Sequence, residues 1–510
     1  MMDNLSSNSK RIAKNTLLLY VRMLLIMAVS LYTSRVVLKI LGVTDFGIYN
    51  VVGGIVAMFA FLNSALGTST QRYLSYTLGK GSQNELKNIF TSSVIIHVIL
   101  SLIIFILAET VGLWLFYEKL IIPQERLNAA FWVFQASILT CIINVISVPY
   151  NSLIIAHERM GAFACISIVE VLLKLLLVFL ISVISCDKLI LYALFVLLTG
   201  LIIRVIYQIY CYKQFEEAKL VRIYNWTQFK GMLTFSSWTL IGMLAWTCQT
   251  QGLNILLNMF FGPVVNAARG IADQVNSAIM QLINNFQLAA KPQIIKYYAN
   301  NDIQQMNSLV FNVCSLSSFL LILIIIPVAV NIDFLLFVWL GEYPDYTSVF
   351  VKIILLQSFT QVIVAPVVMI TQATGKMKMP NIYGGLVSLT TIPLCYVFLR
   401  LGFSVEMVVL LSIIPLILKS ILDVYYANIY VGFSLSEFYS KVYIKVMLIL
   451  IGLYCFINQI KQYIELSQIK EFIFLLFISI LLSSIVIYFL GLTKEQKNAI
   501  VILIRNKIHN

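Results

Sequence analysis

Apolar stretches of about twenty residues, parted by short polar breaks, recur from Thr16 to Leu490, and each is long enough to cross the hydrocarbon core of a bilayer as a helix. A chain built this way does not fold in water. Of its 510 residues 60% are hydrophobic and 11% charged, against roughly 45–50% and about 25% in soluble domains. Only helices and closed barrels satisfy the backbone in lipid. Runs such as Ile95–Leu107 and Leu316–Val330 lack the alternation of barrel strands. The expected fold class is therefore an all-α polytopic membrane protein.

About fourteen spans are predicted. They lie near 16–41, 46–66, 89–115, 128–156, 162–183, 189–212, 232–260, 264–290, 308–331, 348–374, 380–399, 404–428, 441–460 and 472–491. The first is too long for the apolar core of a signal peptide and is read as a retained span. With the N-terminus in the cytoplasm, about 20 of the 35 Lys and Arg residues fall in cytoplasmic segments and about six on the other side, the positive-inside bias. Both termini are thus expected in the cytoplasm. The charge of +13 has this topological origin, and its spread over many short loops argues against nucleic acid. The eight cysteines and three histidines are scattered without C-x-x-C spacing, so no metal site is expected.

The sequence repeats weakly, as transporters often do. A shift of 220 residues pairs Gly42 with Gly262, and the polar loop Gly79–Asn88 with Ala299–Ser308. A shift of 217 pairs Pro149–Met160 with Pro366–Met377 and puts a proline inside the fourth helix of each half, where it can kink a helix beside a cavity. The expected organisation is an N-terminal six-helix lobe (1–212), a cytoplasmic amphipathic linker helix (213–230), a second six-helix lobe repeating the first (231–428), and two further helices with a basic tail (429–510).

Nine cations lie inside these spans: Arg22, Arg35, Lys39, Lys174, Arg204, Arg269, Lys352, Lys419 and Lys445. Facing lipid at depth they would cost on the order of 20–30 kcal/mol, so most must pair, snorkel or face water. Glu170/Lys174, Arg269/Asp273 and Lys419/Asp423 have helical i,i+4 spacing, which serves mutual neutralisation or a functional site equally well. Arg22, Arg35 and Lys352 have no local partner in sequence; snorkelling is an alternative for Arg22. Spans seven and eight carry Gln249, Gln251, Asn254, Asn258, Asn266, Arg269, Asp273 and Asn276. Such groups line a cavity for hydroxylated ligands or glue helices together. Arg22, Arg35, Lys174, Glu170, Gln249, Asn254, Arg269, Asp273, Asn276 and Lys352 are the candidate substrate-cavity residues. No GxSxG, HExxH or P-loop pattern occurs, and an enzyme is not expected.

The stretch Arg35–Asn50, its echo Leu257–Ile271, and the P-x-x-x-[LI]-x-x-A-x-x-[RK]-M ends of the fourth helices resemble the two half-starts of the multidrug/oligosaccharidyl-lipid/polysaccharide exporter superfamily. Fourteen spans resemble its bacterial polysaccharide flippases more than its twelve-span drug exporters. The resemblance implies V-shaped, MATE-like lobes around a cavity. It also implies translocation of undecaprenyl-diphosphate-linked oligosaccharide across the bacterial inner membrane by alternating access, as in O-antigen and lipopolysaccharide production. No cofactor is implied; Na+ or H+ coupling is compatible with it. The implied partners are the lipid-linked substrate and membrane lipid, with polysaccharide polymerase or export machinery as candidates. Two other readings stand beside it. One is a cation-coupled drug exporter, for which Glu109, Glu170, Asp273 and Asp423 are the candidate carboxylates. The other is a membrane polymerase or ligase, which would need a large outer loop bearing Arg or His; segment 332–347 has neither.

Overall fold

In the computed structural model the described residues are 2–58, 67, 70, 71, 73, 74, 77, 78, 83–157, 159–181, 183, 184, 186–221, 226–463, 468–494, 496 and 497, with side chains excluded at 2–22, 57, 226–242, 288, 289, 292, 296 and 299. Among them there is no strand. Eleven helical segments are long and apolar enough to cross a membrane. Exposed Leu102, Leu448 and Phe477 (61%, 65% and 67%) give this surface the apolar character that lipid, not water, accommodates.

Helix α1 (Met2–Ala57) covers the first expected span and the start of the second, and breaks at Gly42. Then come α2 (Gln83–Leu107), extended through a π turn to Glu118, α3 (Leu127–Ala156), α4 (Met160–Ile181) and α5 (Lys188–Gln214). Helices α6 (Trp226–Phe261) and α7 (Pro263–Ala299) are 36 and 37 residues long and meet at Gly262. The two glycines paired by the 220-residue shift have nearly the same left-handed φ, 79° and 78°, a conformation that side-chain-bearing residues resist. The remaining helices are α8 (Ile303–Val330), α9 (Ile332–Leu340), α10 (Thr347–Thr374), α11 (Lys378–Leu389), α12 (Thr391–Arg400), α13 (Val405–Leu411), α14 (Ile413–Val431), α15 (Ile444–Gln462) and α16 (Gln468–Val486). Pro149 and Pro366 sit inside α3 and α10 as expected; Pro327 inside α8 is a third.

Two compact units form, Met1–Gly270 with Ser388–Val405, and Ile271–Val387 with Glu406–Asn510. In the first, Ile48, Val52 and Ile55 of α1 join Val133 and Phe134 of α3 and Leu189 of α5 in one core. Past its break, α1 runs so close to the start of α7 that a Cβ on Gly47 would lie 1.9 Å from the Pro263 carbonyl oxygen. At one end of this unit Arg126 grips two carboxylates: Nε and Nη2 donate to Asp45 at 2.8 and 2.6 Å, and Nη1 and Nη2 to Asp187 at 2.5 and 3.1 Å. Such paired, charge-assisted bonds fix geometry.

Over 213–221 the expected linker helix does not form, and 226–230 are the first residues of α6. Helix α5 ends at Gln214, and residues Glu216–Ala218 make a single 3-10 turn that folds into the first unit. Glu217 is 3% exposed, accepts from Gln83 Nε2 at 3.2 Å and meets His157 Nε2, while Phe215 stacks on the His157 ring at 4.2 Å. A buried carboxylate needs such partners, and reaching them turns the chain inward. Residues 222–225 of the expected linker lie outside the described residues.

In the second unit α8 packs on α10, and α10 on α14. Buried Gln287 donates to Ser317 Oγ and to the Val362 carbonyl, both at 2.9 Å. The terminal pair is fastened to α8 by polar contacts: Lys461 Nζ donates to the Val330 carbonyl at 2.9 Å and Gln496 to Asn312 at 2.9 Å. Lys445, one of the nine cations within the expected spans, donates to the Gly491 carbonyl at 2.6 Å.

Candidate functional site

A polar face of the first helix meets the expected Glu170/Lys174 pair across a pocket in the first unit. Ile26, Ser30, Thr33 and Ser34 of α1 face Ser167, Glu170, Val171 and Lys174 of α4 around about 380 Å³. Lys174 Nζ donates to Glu170 Oε1 at 2.6 Å, and the two side chains are still 40% and 35% exposed. The hydroxyls of Thr33, Ser34 and Ser167 donate to carbonyls one turn back, at 2.7, 3.0 and 2.8 Å. Their donors are taken up inside their own helices, but their oxygens keep lone pairs for an incoming donor. Arg35 follows Ser34 and is exposed. Half-exposed charges within a span belong with water, a ligand or protein, not with acyl chains.

The amides of the seventh and eighth expected spans are placed otherwise. Around the Gly262 break Asn266 Nδ2 donates to the Asn254 side chain at 2.6 Å and to its carbonyl at 2.8 Å. Asn258 Nδ2 donates to Asn266 Oδ1 at 2.9 Å, and Asn258 Oδ1 accepts from the Ile121 amide at 2.7 Å. These amides close on one another and brace the turn. Arg269 is buried, its Nη2 reaching the Thr250 carbonyl at 3.4 Å; Gln249 is half-buried.

In the second unit Asn276 accepts from Ser358 Oγ at 2.7 Å, and Asp273 is exposed. Lys352 opens onto a separate cavity of about 250 Å³ whose other lining residues, among them Ile325, Leu356, Leu450 and Tyr454, are apolar or aromatic. The side chain of Arg22 lies outside the described residues. Of the ten candidates, the structure brings Glu170 and Lys174 together in one polar pocket and opens Lys352 onto a second, mostly apolar cavity.

Three polar groupings were not anticipated. They are the Arg126 grip on Asp45 and Asp187, the His157–Glu217–Gln83 contact, and a row of tyrosines on α14. The first two join residues 60 to 134 positions apart and have no local signature. The third has one, because Tyr426 and Tyr430 continue the spacing of Lys419 and Asp423 along one helix face.

A model of the polysaccharide biosynthesis protein family matches residues 12–298. No curated protein matches the chain in sequence. Among solved structures, the lipid II flippase MurJ in an inward closed conformation is similar at 13% identity and TM-score 0.66, over 93% of this chain and 99% of that one. An inward-facing multidrug resistance MATE family transporter of the MOP superfamily aligns at 14% identity and TM-score 0.64, over 79% and 94%. A MOP superfamily transporter from Pyrococcus furiosus aligns at 14% identity and TM-score 0.57, over 83% and 96%. The fold is the one these transporters share. Since the family model spans more than half of its length, the chain belongs to the polysaccharide biosynthesis protein family.

Proposed function

We propose that this protein is a flippase that carries undecaprenyl-diphosphate-linked oligosaccharide repeat units across the bacterial inner membrane for surface polysaccharide export. The family match over residues 12–298 is the observation that carries the reading. The polar pocket of Ser30, Thr33, Ser34, Glu170 and Lys174 supports it, because hydroxyls and an open ion pair suit a ligand rich in hydroxyl groups and phosphate. In this reading residues 1–212 and 231–428 are two six-helix lobes that alternate access, with Na+ or H+ supplying the bias. Residues 429–510 add the terminal pair, both ends lie in the cytoplasm, and exposed Arg35 adds positive charge for the diphosphate. A polysaccharide polymerase is the natural partner, since it consumes the translocated unit.

Deleting the gene tests this. The expected outcome is lipid-linked oligosaccharide accumulating on the cytoplasmic face and loss of the surface glycan. Normal surface glycan together with new sensitivity to cationic drugs overturns the reading in favour of a cation-coupled multidrug exporter of the same fold.

A further inference from the structure

The second unit carries a polar stripe with no role in the pocket of the first. On α14, Lys419, Asp423, Tyr426 and Tyr430 follow one another at steps of four, three and four residues, which places them on a single helix face. Lys419 Nζ donates to Asp423 Oδ2 at 2.8 Å, and the lysine side chain stays 35% exposed. Neighbouring α11 completes the face. Its Gly384 lies beside the Lys419 side chain, whose Cε is 3.6 Å from where a Cβ would stand. Tyr383 stacks on Tyr426, with ring centroids 6.5 Å apart and planes at 21°. The Tyr426 ring meets Tyr430 at 5.9 Å, and Lys376 Nζ lies 5.4 Å from the Tyr430 ring centre.

Depth decides what such a face is for. Helix α14 ends at Val431, so Tyr430 sits at the membrane edge, where interfacial tyrosines are ordinary. Tyr426 lies about 6 Å further in than Tyr430, at the inner rim of the interface, and Lys419 about 16 Å further in, below the headgroup level that anchoring tyrosines occupy. A half-exposed ammonium at that depth belongs with water or a polar ligand. Between the edge and Lys419 the face offers flat rings, each with a hydroxyl, and no carboxylate pairs with Lys376 among the described residues. Rings with an apolar body and a polar tip suit sugar rings, which have apolar C–H faces and hydroxyl rims. The ammonium at the mouth suits a phosphate, for which lysine acts as a point charge.

We infer that Tyr430, Tyr426 and Tyr383 form a sugar-stacking track. Lys376 contacts the lipid-linked diphosphate at its mouth, and the Lys419–Asp423 pair hydrogen-bonds sugar hydroxyls at its deep end. The inference rests on the flippase reading and adds to it a second glycan-binding surface, in a different unit from the α1–α4 pocket.

The test is binding by the full-length protein in lipid nanodiscs, with two probes: undecaprenyl diphosphate alone, and undecaprenyl diphosphate carrying a disaccharide. Tyr426→Leu is expected to weaken the disaccharide probe roughly fivefold to tenfold and leave the bare diphosphate unchanged. Tyr426→Phe keeps the ring and with it most of the preference for the sugar. Lys376→Gln is expected to weaken both probes alike. Unchanged bare-probe binding also reports that Tyr426→Leu is folded; should that variant fail to fold, Tyr383→Leu reads the same track from a half-exposed position (48%). If the leucine variants affect both probes equally, or neither, the track is wrong although the flippase reading stands. If the wild-type protein binds neither probe, both fall.

Discussion

Two polar regions of the first unit, the α1–α4 pocket and the asparagine knot at Gly262, look alike as sequence and differ in what their polar atoms do. In the knot, Asn254, Asn258 and Asn266 exchange hydrogen bonds with one another and with backbone at 2.6 to 2.9 Å. In the pocket, Glu170 and Lys174 bond each other yet remain 35% and 40% exposed beside about 380 Å³ of open volume. The difference teaches that a polar residue inside a span is a candidate for function only when its bonding capacity is left open. The knot fixes a chain break, and the pocket can take a ligand.

Mutations can break this comparison. The largest expected stability effect is in the knot. Asn266→Leu removes two hydrogen bonds it donates and leaves the Asn258 amide without its acceptor, a loss of roughly 2 to 4 kcal/mol at about a kcal/mol per bond and more for an orphaned buried group. Thermal unfolding in detergent reads it, and whatever folded protein remains should transport normally. In the pocket the expectation is reversed. The double variant Glu170→Gln, Lys174→Met removes an exposed pair worth at most about 1 kcal/mol, so stability should hardly move, while surface glycan output falls about tenfold if one charge-assisted contact to substrate is lost. Should the knot variant abolish transport at full stability, or the pocket variant unfold the protein, the assignment of roles is inverted.

The sequence made one side of this contrast legible and hid the other. The span limits follow from apolar length, so that 128–156 and 348–374 are found almost to the residue as helices Leu127–Ala156 and Thr347–Thr374. The glycines at 42 and 262 were visible as a pair because the chain needs a residue tolerant of positive φ at each break. The Glu170–Lys174 pair follows from i,i+4 geometry. That it faces Ser30, Thr33 and Ser34 does not, because this depends on which helices pack together. For Asn254 the reading as cavity lining or as helix glue stayed open for the same reason: its partner Asn266 lies beyond the turn. Tyr426 and Tyr430 were legible in spacing but look like interfacial anchors until the depth of Lys419 on the same face is considered.

The smallest effect concerns the Arg126 grip, a third way of holding charge, at the edge of the first unit. Asp187 precedes α5 and caps it, accepting from the amides of Leu189 and Ile190 at 3.0 and 3.3 Å. Burial disfavours its charge, but the hydrogen bond from Arg126, with those amides, outweighs this and holds the carboxyl below its usual range. A carboxyl with a depressed folded-state pKa stabilises the fold fully above its unfolded value, near about 4, and loses that contribution as pH falls through the folded value. The comparison that isolates the charge is Asp187→Asn, because asparagine caps a helix about as well as aspartate. At neutral pH the variant should unfold at a slightly lower temperature, by an amount corresponding to less than about 1 kcal/mol for so exposed a pair. The gap should narrow only on acidification below the usual carboxylate range, and also shrink in high salt. A gap that is constant with pH would mean that Asp187 acts through its shape as a cap and not through its charge, leaving the intramembrane pairs as the electrostatic contrast of interest.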